Sequence, residues 1–443
     1  MSTVIWRGGA PEIAQVQDYL FGGTWESTDV ITFAIGNVVV STTATSTVIT
    51  TIVDALVVVW NALAEASYPQ FAEITASRSG NNLRLTGNTA GSDGDEYVPF
   101  ACTLATTETG GGAADAQTID GAASSAGTTS TAYSGPNSWG VADNWSTDAV
   151  PVAADDVVFD GGANDDCLYG LDVNTIALTS LTIFQSYEGA IGLDLTNTLN
   201  ADSPYAEYRE PTLKVRPGVL RIGDGEGVGA KRIKINKGTV AAATIVVVNT
   251  GTVREDDGVP VLLISGANAA DSYTLLKGDI GIAFHAGETA NTTGLHRVGQ
   301  KDQPAGTLKV YYGTGCTIAV TIINGGTVWC NAAISDLTVN GGDVYQNQGA
   351  VAILVMTGGY LRYNSTGTLG GNPVVSGNAI LDFSQDPRAK TVTNPIEVHG
   401  NDCRILDPAK AVATLVLDLN YDTLADPRFD IGTNIRLTRG TPA

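Results

Sequence analysis

The sequence predicts a mainly β protein: an N-terminal α+β (ββαββ) module followed by a parallel β-helix, a single stack of solenoid coils. Three observations carry this expectation. A short phrase recurs down the C-terminal half, clearest in Leu337–Val344 (LTVNGGDV) and Leu354–Leu361 (LVMTGGYL). Glycine is abundant, at 52 residues, and charged residues make up only 16% of the chain, as suits tight turns between buried strands. The first quarter of the chain instead alternates in period two on either side of one window of helical periodicity.

Residues 1–108 hold that window. Val30–Val40 alternates as a hairpin turning at Gly36–Asn37. Thr45-Ser46-Thr47 offers an N-cap, after which Ile49, Ile52, Val53, Leu56, Trp60 and Leu63 recur at helical spacing. The helix is expected to stop near Ser67, before Pro69, with Trp60 as its core anchor. Glu73–Ser77 and Leu83–Thr86 form a second hairpin around Ser79–Asn82, and Val98–Thr103 adds a strand. The order ββαββ suggests one small sheet with a helix on its face. This module, on Asp29–Val40, the helix Val48–Ala66, Glu73–Ser77 and Leu83–Gly91, resembles a β-β-α-β-β domain that recurs in bacteriophage tail and capsid-associated proteins and in some large bacterial surface proteins. The resemblance covers about a quarter of the chain and implies a docking or assembly role without catalytic residues.

Residues 109–132 are almost entirely Gly, Ala, Ser and Thr and read as a linker. Residues 133–180 open the solenoid. Ser138-Trp139 through Asn144-Trp145-Ser146, then Val150-Pro151 and Asp155–Phe159, are similar to the start of many bacterial and phage β-helices. A solenoid's first coil exposes an apolar end and an open edge, and Trp139 and Trp145 are expected to cap it.

Residues 181–443 carry the repeat. Around each glycine turn the expected inward positions are two residues before the pair (Val215, Ile235, Val248, Leu275, Ile323, Val339, Met356, Val375, Val398) and three residues after its first member (Leu220, Val240, Val253, Ile280, Val328, Val344, Leu361, Ile380, Cys403). Strand, glycine turn, strand at ~13–23-residue spacing is the signature of stacked coils, because one such unit cannot bury its apolar side alone. At roughly 20 residues per coil and ~4.8 Å per rung, about 12 coils make a rod on the order of 60 Å long.

Twenty-four Lys and Arg against 46 Asp and Glu give a net charge of −22, which disfavours nucleic acid as a partner, since phosphate contacts need a basic face. The first ten residues lack the basic and apolar regions of a signal peptide. Val48–Ala66 is too polar to span a bilayer, so a soluble, cytosolically made protein is expected. The five cysteines include no CxxC, and with three histidines they argue against zinc. They read as small core hydrophobes, with a Cys316–Cys330 bridge left open.

Candidate chemistry is thin. Asp155-Asp156, Asp165-Asp166 and Glu255-Asp256-Asp257 are acidic, and two carboxylates can cleave a glycoside, but no acid recurs at matching slots of adjacent coils. Gly223-Asp224-Gly225-Glu226-Gly227 offers oxygen ligands for Ca²⁺, yet lacks the acid count of a calcium loop and reads as a wide turn. No other cofactor is implied. His285, His296 and His399 read as loop or surface residues. Asn144-Trp145-Ser146 matches the glycosylation acceptor pattern. Trp329, Tyr345, Tyr360 and Tyr363 follow successive turns. An outward aromatic ladder of this kind either contacts a partner or host-surface glycan, or stiffens the rod and packs an oligomer, and stiffening is favoured.

These readings converge on a non-enzymatic virion structural protein of a tailed bacteriophage, assembled in the host cytoplasm. A capsid decoration or a head or tail fibre is expected, attached to a major capsid or tail protein through the N-terminal module. Homo-oligomers, trimers among them, suit an acidic rod with outward aromatics. A glycan-binding adhesin or a tailspike-type polysaccharide depolymerase is the alternative.

Overall fold

A computed structural model describes residues 2–63, 67–88, 97–109, 116–192, 208, 210–225, 227–252, 258–304, 306–400, 402–419 and 435–439. The chain is mainly β, and its dominant feature is one parallel sheet of 24 strands running from Thr3–Ile5 to Ile435–Arg439. Over most of its length each strand pairs with the strand two further along the chain, so successive coils contribute rungs to two ladders. Short bridges build a third side: Ala290 with Cys316, Ile318 with Ile334, then Ile334, Val351, Leu369 and Val392 in succession.

The first ladder shows why the repeat folds this way. Two residues per rung point inward and stack in register. One column runs Val4, Val157, Leu181, Leu220, Ile245, Tyr273, His296, Thr321, Leu337, Leu354. The other runs Phe159, Ile183, Ile222, Val247, Leu275, Val298, Ile323, Val339, Met356, Val375, Val398, Leu419. The second ladder adds Ile233, Leu262, Ile280, Val310, Val328, Val344, Leu361, Leu381 and Ile405. All three columns belong to one buried cluster reaching from Val4 to Leu419, broken only by His296 and Thr321. Apolar burial along this spine, at about 25 cal/mol per Å², is the main force holding the coils together.

The glycine pair at each turn has two separate causes. Gly342 adopts φ 82°, where a side chain is strained, and a Cβ on Gly341 would lie 2.6 Å from the carbonyl oxygen of Asn324 in the coil before. Stacking thus requires the first glycine and backbone conformation the second. Asn340 ties the same corner together, donating to Asn324 Oδ1 at 2.9 Å and accepting from Thr357 Oγ1 at 2.7 Å.

Two corners of the coil look alike in sequence, and this corrects several inward assignments. Gly325–Gly326, Gly341–Gly342, Gly358–Gly359, Gly377 and Gly400 lead from the first ladder to the second. Pro217–Gly218 and Lys237–Gly238 instead lead back into the first ladder. Val240, after such a return corner, is 67% exposed. At the Thr250–Gly251 turn Val247, not Val248, points in. After Gly377 the turn is one residue longer, so Leu381 replaces Ile380 in the core. Val253 lies outside the described residues.

The N-terminal residues depart furthest from expectation. β1 (Thr3–Ile5) is the first rung of the solenoid, pairing with β11 (Asp156–Phe159), which in turn pairs with β12 (Asp172–Ile183). Asp155 fixes this rung by accepting from Ser2 N at 3.2 Å and Ser2 Oγ at 2.6 Å. The N-terminal module is therefore an insertion within the first coil.

That module contains β2 (Val16–Gly22), β3 (Val30–Ile35), β4 (Val38–Thr43), α1 (Ile49–Asn61), α2 (Pro69–Ala72), β5 (Ile74–Ser79), β6 (Asn82–Gly87) and β7 (Cys102–Thr107). The two hairpins turn where expected, but they lie in different sheets rather than one. β3 and β4 join β7, while β5 and β6 join β2. The helix ends at Asn61, and its N-cap is Val48, whose amide donates to Ser46 Oγ at 3.0 Å. Trp60 is buried against Phe33 and Phe71 and donates to the Ile74 carbonyl at 2.8 Å. The segment read as a linker is structural where described. β8 (Thr118–Ile119), β9 (Ser124–Ser125) and β10 (Thr128–Thr131) extend both sheets. Small, β-branched residues with little bulk fit sheet edges as readily as they fit flexible chain.

Candidate functional site

The outward face of the second ladder carries an aromatic column. The inward residues Val310, Val328, Val344 and Leu361 fix the register, so the residue after each one points out: Tyr311, Trp329, Tyr345 and Arg362. Tyr311 and Trp329 stack at 4.5 Å and 6°, and Trp329 and Tyr345 at 5.7 Å and 10°. Arg362 closes the stack, its guanidinium 4.5 Å over Tyr345 and 3.8 Å over Tyr360. At the other end Phe284 meets Tyr311 edge-on at 5.8 Å.

Charge locks the closing end. Arg362 donates to Asp343 Oδ1 at 2.9 Å, and Tyr360 donates to Asp382 Oδ2 at 2.6 Å. Burial alone would raise the Asp382 carboxyl, but hydrogen bonds from Ser384, Tyr360 and Gln385 outweigh it and hold Asp382 below the usual range. Burial, and then the Asp382 bond, push the Tyr360 hydroxyl up to about 12.

This geometry decides what the column can do. A sugar ring stacks on an open aromatic face, and here the faces between Tyr311 and Trp329, between Trp329 and Tyr345, and between Tyr345 and Arg362 are covered by neighbours. The rings present half-buried edges only. The column is suited to stiffening adjacent coils against sliding, at about 0.5–1.5 kcal/mol per aromatic pair.

Of the aromatics singled out from sequence, Trp329, Tyr345 and Tyr360 come together here and Tyr363 does not. Tyr363 points inward, is fully buried against Phe383, and donates to the Gly367 carbonyl at 2.9 Å. It follows Arg362 by one residue, and alternation turns it to the core. Tyr311 and Arg362 were missed. Aligning Val310-Tyr311 with Val328-Trp329, Val344-Tyr345 and Leu361-Arg362 would have found both.

Trp139 and Trp145 are fully buried in the first coil, 4.8 Å apart, and Trp145 Nε1 donates to the Trp139 carbonyl. Trp6, unflagged in the sequence, completes the group at 5.1 Å from Trp145 and 5.5 Å from Phe159. Asn144 is buried beside them, donating to the Gly135 and Ser138 carbonyls, so the glycosylation pattern is inaccessible in the folded chain.

The expectation for His296 is corrected. It is 1% exposed, packed with tilted rings against Tyr273 at 4.4 Å and Tyr312 at 5.7 Å, with Nδ1 3.3 Å from the Tyr312 hydroxyl. Burial lowers it to about 3, so the imidazole is neutral. Thr321 continues the same column, fully buried. Among the described residues, His296 Nε2, Thr321 Oγ1 and the Tyr273 hydroxyl have no hydrogen-bond partner. His285 is half-buried, its backbone amide donating to Glu288, and His399 lies 3.5 Å from Glu397.

The remaining candidates are structural where they are described. Asp155 holds Ser2, and Asp156 accepts from Ser180 Oγ at 2.5 Å. Asp165 and Asp166 offer their carbonyl and carboxylate to Trp6 and Ala190 respectively. Glu255, Asp256, Asp257 and Glu226 lie outside the described residues. Gly223, Gly225 and Gly227 all have positive φ, as in a wide turn. All five cysteines are free and buried, so Cys316 and Cys330 are not bridged. Among the described residues no group of three or more His, Cys, Asp or Glu could hold a metal ion, and no helix is long and apolar enough to cross a membrane.

A groove of about 780 Å³ opens at the far corner of the second ladder, spanning Asn347–Gly349, Asn364–Gly367 and Gln385–Arg388 of three successive coils. Its lining is amide and hydroxyl, with Asn364 donating to Asn347 at 3.1 Å and Arg388 paired to Asp386. Comparison with protein-family models, curated proteins and solved structures finds no match to this chain.

Proposed function

We propose that the chain is a non-enzymatic structural component of a bacteriophage particle, a capsid decoration or a head or tail fibre protein. In this reading the N-terminal hairpin–helix–hairpin unit is a ββαββ docking module that binds a major capsid or tail protein, and the solenoid projects from it. One observation carries the proposal: an inward spine from Val4 to Leu419, apolar except at His296 and Thr321, with the module inserted at its first coil. A module joined to the shaft by two chain crossings and seated on its end is a rigid foot, and the aromatic column stiffens the shaft it supports. Immunolabelling and cryo-EM of purified particles test it. Density for the solenoid on the particle surface is expected, and absence of the chain from purified particles would end the proposal.

Glycan binding is the second reading, and the groove at Asn347–Arg388 favours it over the aromatic column. Amides and hydroxyls repeated along the coil axis suit the hydroxyls of an extended saccharide. Glycan-array binding lost in Asn364→Ala would support it. Release of reducing ends from host capsule would instead favour a depolymerase.

A further inference from the structure

Three polar groups stand unbonded inside the spine. Among the described residues His296 Nε2, Thr321 Oγ1 and the Tyr273 hydroxyl have no hydrogen-bond partner, and none of the three residues is more than 1% exposed. They lie on successive rungs of one inward column, Tyr273 in register with His296 and His296 with Thr321. Native cores rarely leave even one such group unbonded, because burial strips away its water without replacing the bond. Three in one column point to a shared partner.

The neighbouring polar atoms are already engaged. Cys316 Sγ bonds the Ile282 carbonyl at 3.3 Å, Cys330 Sγ bonds the Ala332 carbonyl at 3.4 Å, and the Tyr312 hydroxyl lies 3.3 Å from His296 Nδ1. Apolar rungs close the column at both ends, Leu220 and Ile245 on one side and Leu337 and Leu354 on the other. Successive rungs are ~4.8 Å apart, beyond the reach of a direct hydrogen bond of about 2.7–3.2 Å. A small molecule seated between rungs, with bonds of about 2.8 Å to each side, spans that gap. Thr321 makes the room, being smaller than His296 before it and Leu337 after it.

The Tyr312 hydroxyl decides which ring nitrogen carries the hydrogen. It is buried, and among the described residues its hydrogen-bond partner is His296 Nδ1. Were Nδ1 the donor, the hydroxyl's own proton would be stranded. The hydroxyl therefore donates to Nδ1, and the neutral imidazole carries its hydrogen on Nε2. We infer that the core binds one water molecule here, which accepts from His296 Nε2 and the Tyr273 hydroxyl and donates to Thr321 Oγ1. Three partners is the usual number for an internal water, and water is a polar molecule small enough to fit a core closed by apolar rungs. This site is independent of the virion reading.

Nuclear magnetic resonance on the full chain, labelled with nitrogen-15 and deuterium, tests it. The chain has three histidines, so His296 is assigned by comparison with His296→Phe. Its ring should show the Nε2–H tautomer, and the Hε2 proton should give a cross-peak to a water that stays bound for longer than the protein takes to tumble. Thr321→Val keeps the shape of the side chain and removes one of the three bonds. It should lose that cross-peak with an unchanged circular dichroism spectrum. An Nδ1–H tautomer, or a wild type without the bound-water cross-peak, would overturn the inference whatever the variant does. So would a cross-peak of equal strength in Thr321→Val.

Discussion

His296 makes the stability of the solenoid acid-sensitive in a way that can be isolated. In the unfolded chain its imidazole titrates near its ordinary value of 6.5, whereas in the folded chain burial between Tyr273 and Tyr312 lowers it to about 3. The unfolded state therefore takes up the proton first as pH falls. Between those two values it binds about one more proton than the folded state, so unfolding becomes easier by about 1.4 kcal/mol per pH unit. Above about 6.5 the histidine is neutral in both states and contributes no slope. Over the whole interval the loss amounts to about 5 kcal/mol, comparable with the total stability of many domains. Carboxylates titrate below about 5 and obscure the effect in the wild type alone, so a difference measurement is needed. His296→Phe keeps an aromatic ring between the two tyrosines and removes the titration. It also removes the contact to the Tyr312 hydroxyl, a cost that does not vary with pH in this range. Urea midpoints followed by circular dichroism at successive pH values should show the variant gaining on the wild type steadily as pH falls below 6.5. Parallel curves for the two proteins from pH 7 to pH 4 would refute the reasoning.

Three further outcomes follow from the same geometry. Gly342→Ala forces a side chain into φ 82° with its Cβ 2.5 Å from the Gly326 carbonyl oxygen, and should cost at least about 2 kcal/mol. Gly36→Ala, at φ 58° with open space around it, should cost about 1 kcal/mol, and equal shifts in thermal midpoint would contradict this account. Lys237 and Asp271 form an ion pair at 2.6 Å with both side chains 1% exposed, so Lys237→Met should destabilise by about 3–5 kcal/mol. Adding Asp271→Asn should recover much of that, and no recovery in the double-mutant cycle would show that the stranded charge is not the cause. Trp6→Ala, deleting a fully buried ring of the first coil, should lower stability by about 3–5 kcal/mol and loosen β1, read as faster hydrogen exchange at Thr3–Ile5. Unchanged exchange there would mean the first rung does not depend on it.

The repeat was legible in the sequence because it is local. Val339 and Val344 alternate with less buried neighbours, and the Asn340-Gly341-Gly342 turn between them needs glycine for steric reasons that hold in any stack of coils. The two hairpins of the module and the burial of Trp60 were legible for the same reason: alternation and helical spacing report which side of a segment is covered. What covers it is set by residues far away in the chain, and there the tertiary structure decided. Nothing in Thr3-Val4-Ile5 marks it as the partner of Val157, more than a hundred residues distant, or separates a corner that leaves the first ladder from one that returns to it. Histidine looks like a surface residue until Tyr273 and Tyr312 pack against it. The aromatic slots at Trp329 and Tyr345 could be read as outward, but only the coil-on-coil spacing turned their faces toward each other. Local pattern determined which atoms leave water, and non-local pairing alone chose their neighbours, because parallel strands in a solenoid meet only after a full turn of chain.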